Sequence, residues 1–431
     1  MKQKILVYGM NHAPEMAGVG VYTGDIAAGL AARGHDVAVV TTPPHYPGWQ
    51  VRDGWSAWRW QAEILDGVRV YRCPLLLLRP MSGIRRLIAP ASFALSSAPV
   101  ALLQALLRRP NVLLVVEPTL FVAPLAFVAA RLVGARLVLH VQDLEVDAAF
   151  AVGHLASRKG LMRLAFAFER RILGMFDRIV TISSRMAGRL AAKGVAADRL
   201  AVVRNWVDLD RIRPHEGENP YRAELGLAAG DFVALYSGNI GRKQNLEVLL
   251  DAARMLENEP GLGHVRVLVA GEGPEKPRLV AEYGGLANVR FLPFQPAGRL
   301  AEFLSLPDLH VLTQEAGAAD LVLPSKLGGM LASGRPIAVT ANEGTELHAF
   351  LGDAAAIVPP GDAAALAGVI RRAVAEGAIR DVPGALRRAE LAASLSRSAG
   401  HDCFTAALIG DLESFADLTP DGGAAAGEAA E

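Results

Sequence analysis

Ile5-Leu6-Val7-Tyr8, Val19 to Arg33 and Asp36-Val37-Ala38-Val39-Val40-Thr41 follow one another near the start of the chain: an apolar run, a helical pattern and a second apolar run. Gly34 falls where a helix C-cap belongs. Neither run alternates apolar with polar residues, so each strand must be covered on both faces. The stretch therefore predicts a βαβ unit, and with it a parallel sheet flanked by helices.

The same rhythm continues through Val68 to Arg72, Val112 to Val116, Leu137 to Val141 and Arg178 to Ile182, with helical stretches between. Polar residues with Pro214, Gly217 and Pro220 then interrupt it. A second series follows, with strands predicted at Phe232 to Tyr236, Val265 to Ala270, Val289 to Leu292, Leu309 to Thr313, Pro336 to Val339 and Ala355 to Val358. A chain of 431 residues is too long for one ordinary core. The reading is α/β with two Rossmann-like domains: 1–205, a linker at 206–220, then 221–405. A helical segment at 406–419 and a Gly/Ala/Glu-rich disordered tail at 420–431 complete it.

Apolar residues make up 52% of the chain and charged ones 20%, which supplies buried sheets and excludes global disorder. Two distant cysteines, Cys73 and Cys403, argue against a disulfide framework or a structural zinc. The apolar run after Met1 is too short for a signal peptide, so a cytoplasmic protein is expected. Residues 1–205 hold 25 Lys and Arg against 13 Asp and Glu, and the remainder holds 19 against 31. A basic first half suits anionic lipid or a pyrophosphate, or is simply a differently charged surface. Nucleic acid is disfavoured, because the total charge is zero.

Leu87 to Leu107 carries no charge, is bracketed by Arg85, Arg86, Arg108 and Arg109, and is long enough to span a bilayer. Pro90 and Pro99 interrupt it, and it falls between two strands of one sheet. A packed helix, an interfacial docking helix and a span all remain open, with a peripheral protein expected. Docked, it would turn Arg79, Arg85 and Arg86 toward lipid phosphates.

Several motifs fall at predicted strand ends, where ligands bind in open α/β sheets. Gly9-Met10-Asn11 lacks the GxGxxG turn of a dinucleotide-binding fold. Gly18-Val19-Gly20 opens a helix after a long loop, either as a plain turn or as an approach for an anion to backbone NH groups. His140-Val141-Gln142-Asp143 ends a strand, with Glu145 and Asp147 beyond; His140 and Asp143 are either a structural pair or a functional one. No spacing matches a metal motif. Ser237-Gly238-Asn239-Ile240-Gly241-Arg242-Lys243-Gln244 combines glycines, a helix start and two cations. Gly271-Glu272-Gly273-Pro274 and Pro324-Ser325-Lys326, after Leu321-Val322-Leu323, belong to the same edge. Lys326 would hold a diphosphate or be a solvated surface lysine.

In order, HAPEMAGVGVYTGDIAAGLAARGHDVAVVTTPPHYPGW, HVQDLEVDAA, YSGNIGRKQNLEVLLDAA, VAGEGP, FLPFQP and LVLPSKLGGMLASGRPIAV resemble the colanic-acid-type exopolysaccharide glycosyltransferases. These belong to family 4 of the retaining glycosyltransferases. The resemblance implies the GT-B fold, two Rossmann-like domains with parallel sheets facing across a central cleft. It implies transfer of a sugar from a GDP- or UDP-linked donor to a lipid-pyrophosphate-linked saccharide, at the inner face of the plasma membrane, without a bound metal or cofactor. Gly18 and Gly20 would lie near the leaving phosphate, and His140 and Asp143 would face the transferred sugar. The donor would be lined by Gly238, Asn239, Gly241, Arg242 or Lys243, Ser325, Lys326 and Glu346, with Gly271, Gly273, Phe294 and Gln295 near the base. Many relatives carry Arg where Asn239 stands and a Glu-x7-Glu motif across Leu321 to Gly329; both are absent. In the implied mechanism the acceptor attacks on the leaving group's side. Lys326 with Lys243 or Arg242 stabilises the developing charge, and His140 orients sugar hydroxyls. The alternatives are a nucleotide-sugar epimerase and a noncatalytic sugar-nucleotide-binding subunit of an assembly complex.

Overall fold

The computed structural model describes residues 2–15, 18–78, 85–118, 120–144, 159–215, 217–316, 324–376 and 382–410. Arg79, Glu145, Asp147, Leu321 to Leu323 and the tail after residue 410 lie outside them, as does the side chain of Arg86. Two compact units divide the chain, Met1–Arg204 with Gly400–Glu431, and Asn205–Ala399.

In the first unit, strands β1 (Lys4–Gly9), β2 (Asp36–Thr41), β3 (Gln61–Leu65), β4 (Val68–Arg72), β5 (Val112–Glu117), β6 (Arg136–Val141), β7 (Arg178–Thr181) and β8 (Leu200–Val202) form one sheet. Their order is β3-β4-β2-β1-β5-β6-β7-β8. Neighbours are parallel, as the unbroken apolar strands predicted, except that β3 pairs antiparallel with β4. Asp66 and Gly67 connect that hairpin, both with positive φ, the backbone of a tight two-residue turn. Every residue of β5 is buried, which a central strand covered on both faces requires.

Helix α1 (Val19–Ala32) links β1 to β2, α2 (Arg85–Arg108) links β4 to β5, and α3 (Ala123–Val133) links β5 to β6. By length and composition Leu87–Arg108 would suffice to cross a membrane. One stripe of it is instead packed on the sheet. Ala89, Phe93, Ser97, Ala101 and Ala105 recur every four residues and are all buried. The Tyr8 hydroxyl lies 2.6 Å from Ser97 Oγ, and the Tyr8 and Phe93 rings meet edge to face.

The chain returns to the first unit through helix Arg397–Ile409, whose residues from Gly400 on cluster there although the domain reading ran to 405. His401 Nε2 lies 2.8 Å from Asp25 Oδ2, and only glycine at position 29 leaves room, since a Cβ there would lie 2.1 Å from the imidazole. Arg178 and Arg136 donate to the carbonyls of Ala407 and Gly410 at 2.9 and 2.8 Å.

In the second unit, β9 (Phe232–Ser237), β10 (Val265–Ala270), β11 (Val289–Leu292), β12 (Leu309–Leu312), β13 (Ile337–Thr340) and β14 (Ala356–Val358) form a wholly parallel sheet ordered β11-β10-β9-β12-β13-β14. Residues 206–212, the first part of the stretch 206–220 read as a linker, are anchored in this unit. Trp206, Val207 and Ile212 are buried, and Val207 exchanges backbone bonds with Leu395 and Arg397 at 2.8 Å each.

Phe404 is buried with its ring 4.9 Å from that of His140. Phe404→Ala should therefore cost about 3–5 kcal/mol of stability. A urea denaturation midpoint equal to that of the unaltered protein would show that the returning helix is no part of the first unit's core.

Candidate active site

At the carboxyl edge of the second sheet, the loops after β9 and β10 are joined backbone to backbone. Gly238 N donates to Ala270 O and Ile240 N to Glu272 O, each at 2.9 Å, and Glu275 N donates back to Ile240 O at 3.1 Å. This explains three glycines. A Cβ on Gly271 would lie 1.8 Å from Gly238 O and one on Gly273 would lie 2.2 Å from Ile240 O, while Gly238 and Gly271 adopt φ of 148° and 144°. Lys276, which the sequence reading passed over, ties the knot. Its ammonium donates to Gly271 O, Glu272 Oε1 and Leu292 O at 2.8, 2.8 and 3.1 Å. Gln244 closes the turn by accepting from Gly241 N, and Lys243 O receives Glu315 N after β12.

Lys326, just before helix Leu327–Ala332, reaches into this knot. Its Nζ stands 3.8 Å from the centroid of the Tyr236 ring and would lie 3.4 Å from a Cβ on Gly238. Tyr236 is buried and its hydroxyl donates to Asn239 O at 2.5 Å. Burial lowers the Lys326 pKa to about 7. The reading of Lys326 as a solvated surface lysine is thereby displaced. Among the described residues, no carboxylate ion-pairs with Arg242, Lys243 or Lys326, and Asn239 and Arg242 are exposed. Ser325 is exposed beside them, and Glu346 begins helix Glu346–Leu351 after β13, at the same edge. Phe294 and Gln295 follow β11. Gln295 Oε1 accepts from the Tyr221 hydroxyl at 3.1 Å and its amide donates to Pro293 O.

The first unit gathers a second cluster, of which the sequence reading found only part. Glu15 is buried, with Oε1 accepting from the backbone NH groups of His45 and Tyr46 at 3.3 and 3.2 Å and Oε2 from Asn11 Nδ2 at 3.0 Å. A Cβ on Gly20 would lie 2.2 Å from Glu15 Oε2, and one on Gly18 would lie 2.9 Å from the Tyr46 ring. The two glycines thus admit the protein's own side chains to the start of α1. Burial pushes the Glu15 carboxyl up to about 7. Buried Arg72 joins the loops by donating to Thr42 O and Ala13 O at 2.9 and 2.7 Å and to Glu63.

Three imidazoles complete the cluster. His12 Nδ1 faces Ala13 O at 3.0 Å and His45 Nδ1 faces Pro43 O at 3.1 Å, so each keeps its proton there and leaves Nε2 as an acceptor. His140 is the penultimate residue of β6, and Gln142 donates its amide to His140 Nε2 at 3.2 Å, which puts the imidazole proton on Nδ1. Burial lowers the three pKa values to about 4, 4 and 3, so all are neutral near pH 7. Among the described residues, His12 Nε2, His45 Nε2, His140 Nδ1 and Asp143 Oδ1 are buried polar atoms with no partner. Such atoms cost free energy unless a ligand or water meets them. Asp143 lies close enough to Tyr46 to add to the rise that burial and Glu15 cause in its phenol pKa, which ties the end of β6 to the loop after β2.

Two parallel-sheet Rossmann-like units with their loops at the carboxyl edges constitute the GT-B class. Residues 17–206 match the glycosyl transferase 4-like domain and residues 231–376 the glycosyl transferases group 1 domain. Over 377 residues the chain is 41% identical to the putative colanic acid biosynthesis glycosyl transferase WcaI of Escherichia coli (strain K12), covering 85% of this chain and 91% of that one. Its fold resembles sucrose-phosphate synthase from Thermosynechococcus elongatus, with TM-score 0.74, 18% identity and coverage of 94% and 98% of the two chains. It also resembles Anabaena HepE, solved with UDP-glucose, with TM-score 0.66, 15% identity and coverage of 94% and 98%. The chain belongs to the family 4 glycosyltransferases of the GT-B fold.

Gly271→Ala should cost at least about 2 kcal/mol, because a carbonyl oxygen occupies the new methyl's place. Gly285→Ala, with nothing within 4 Å of its Cβ position, should stay within about 0.5 kcal/mol. Equal melting temperatures for the two variants would contradict the interlocked loops.

Proposed function

We propose that this glycosyltransferase moves a sugar, with retention of configuration, from a nucleoside-diphosphate donor to a lipid-pyrophosphate-linked saccharide in bacterial exopolysaccharide or surface-polysaccharide biosynthesis. The observation that carries the donor half is the glycine-lined knot around Lys326, where among the described residues no carboxylate ion-pairs with Arg242, Lys243 or Lys326. The WcaI name supports the polysaccharide half. HepE, solved with UDP-glucose, supports a nucleotide-sugar donor.

Lys326, with Lys243 or Arg242, takes the charge of the departing diphosphate, and Gly238, Asn239 and Gly241 let its oxygens approach the backbone. Ser325 and Glu346 flank the diphosphate and its ribose, and Gly271, Gly273, Phe294 and Gln295 receive the base. In the first unit Gly18, exposed at the start of α1, is offered to the leaving phosphate, while Gly20 makes room for Glu15. Neutral His140, with Asp143, holds sugar hydroxyls. A neutral imidazole donates to a hydroxyl without placing a positive charge beside the anomeric carbon that becomes cationic. The acceptor hydroxyl attacks on the side from which the diphosphate leaves and passes its proton to that diphosphate. The protein cations make a bound metal unnecessary, and the enzyme works in the cytoplasm against the inner face of the plasma membrane.

Lys326→Ala should lower turnover at least about tenfold in a folded protein. The cationic form of Lys326 is half-populated near pH 7 and falls away as pH rises further, so diphosphate affinity should weaken as pH rises from 6 to 9. Lys326→Arg should flatten that dependence, since guanidinium keeps its charge. Isothermal titration across pH checks both, and a flat profile in the unaltered protein removes Lys326 from the diphosphate.

A thermal-shift panel of GDP, UDP, ADP and CMP with EDTA present should single out GDP or UDP, because a ligand bound only by the folded form raises its apparent stability. No shift with either nucleotide, or a shift only after magnesium is restored, would overturn the metal-free donor site.

A further inference from the structure

Helix α2 is built inside out. Its buried stripe consists of Ala89, Phe93, Ser97, Ala101 and Ala105, with Gln104 buried beside it. Its leucines point the other way, with Leu87, Leu95, Leu103, Leu106 and Leu107 exposed, Leu95 to 79% and Leu107 to 71%. Helices on the surface of a globular domain put their large apolar residues inward. Helix Glu247–Glu257 of the second unit does so, burying Leu249, Leu250 and Leu256. Leucines repeated along the outer face from Leu87 to Leu107 form an apolar strip about 30 Å long.

The strip widens on both sides. α3, packed beside α2, exposes Val128 and Leu132. On the other side Trp60 donates its indole NH to Ser96 O at 3.0 Å, seating the approach to β3 against the middle of α2. Strand register puts Ile64 opposite Arg69, Arg69 beside Ala38, and Ala38 beside Leu6. Leu6 shares a face with Tyr8, on which α2 packs. Ile64, exposed to 76%, thus lies on the α2 side of the sheet, and Trp58 is exposed to 71% just before β3. Arg59, Arg69, Arg85 and Arg109 are exposed around this apolar area, and neither α2 nor α3 contains an Asp or Glu.

We propose that the outer face of α2, extended by α3 and the β3–β4 hairpin, is the surface on which this enzyme lies against an anionic lipid bilayer. Leucines enter the acyl boundary, the indoles of Trp58 and Trp60 sit at headgroup level, and the rim arginines meet lipid phosphates. Charge complementarity selects this occupant over a soluble partner or a second copy. A second copy would bring the same arginines against each other. The surface deepens the lipid-linked-acceptor reading and rests on it, because an acceptor held in the bilayer needs its enzyme beside it.

The test is cosedimentation with vesicles of phosphatidylcholine alone and of phosphatidylcholine mixed with phosphatidylglycerol, at low and high salt. The unaltered protein should pellet with the anionic vesicles and be partly released by salt. The Leu95→Glu/Leu103→Glu variant should bind at least about tenfold more weakly, as should Trp58→Ser on a separate element. Both variants should keep the thermal shift with GDP or UDP that the unaltered protein shows. That shift reads the donor site alone, so its failure and the failure of the surface are distinguishable. A protein that stays in the supernatant with anionic vesicles at low salt overturns the surface. So do variants that pellet like the parent, or a parent that is dimeric in solution by light scattering while the leucine variant is monomeric.

Discussion

The contact of Gly238 O with Gly271 constrains the second unit most tightly. Two loops leave adjacent strands and must cross within a distance that excludes even a methyl group. Backbone bonds from Gly238 and Ile240 then hold them together, and Lys276 neutralises carbonyls that would otherwise crowd one another. The consequence is a rigid floor of peptide groups under Lys326. A cation above such a floor has little freedom to follow an anion, so its position is set before any ligand arrives.

The first unit solves a different problem. A sugar offers hydroxyls, each both donor and acceptor, and charged groups are poor at telling them apart. The cluster there holds its buried ionisable side chains in satisfied bonds: Glu15 with two backbone NH groups and an amide, Arg72 with two carbonyls and Glu63. Among the described residues, the atoms of this cluster left without partners are imidazole nitrogens of His12, His45 and His140 and Asp143 Oδ1. Each orphan atom costs stability in a domain of this size, a cost retained where function requires it.

The sheets were legible because parallel strands covered on both faces read as unbroken apolar runs, and β5 and β9 are plain examples. The reading missed β3, which is only five residues long and turns its apolar Ala62 and Ile64 outward, although Asp66-Gly67 was a signal for its turn. It also ran the second domain to residue 405, because little in Arg397 to Ile409 marks a return: Phe404, Ala407 and Leu408 are spread thinly, and their partners lie more than 200 residues away. The glycines and Lys326 were visible as motifs. Glu15, Arg72, His12 and His45 were not, since single polar residues in loops announce nothing until the fold buries them together. His140 was expected at a strand end and is the penultimate residue of β6, but its burial against a ring from the other end of the chain was not legible.

The charge asymmetry between the halves acquires meaning from where the charges are paired. The later half carries the acidic excess, yet much of it is spent in exposed ion pairs: Arg278 with Glu247, Glu275 and Glu282, Arg299 with Glu224 and Glu302, Arg371 with Glu259. Exposed pairs of that kind add little stability and are screened within about 8 Å at physiological salt. Among the described residues, Arg242, Lys243 and Lys326 stand at the carboxyl edge without such partners, although the half as a whole is negative. Net charge by segment is therefore a weak guide to a binding site. What decides is which cations the fold leaves without a carboxylate, and that is settled by loop geometry and not by composition.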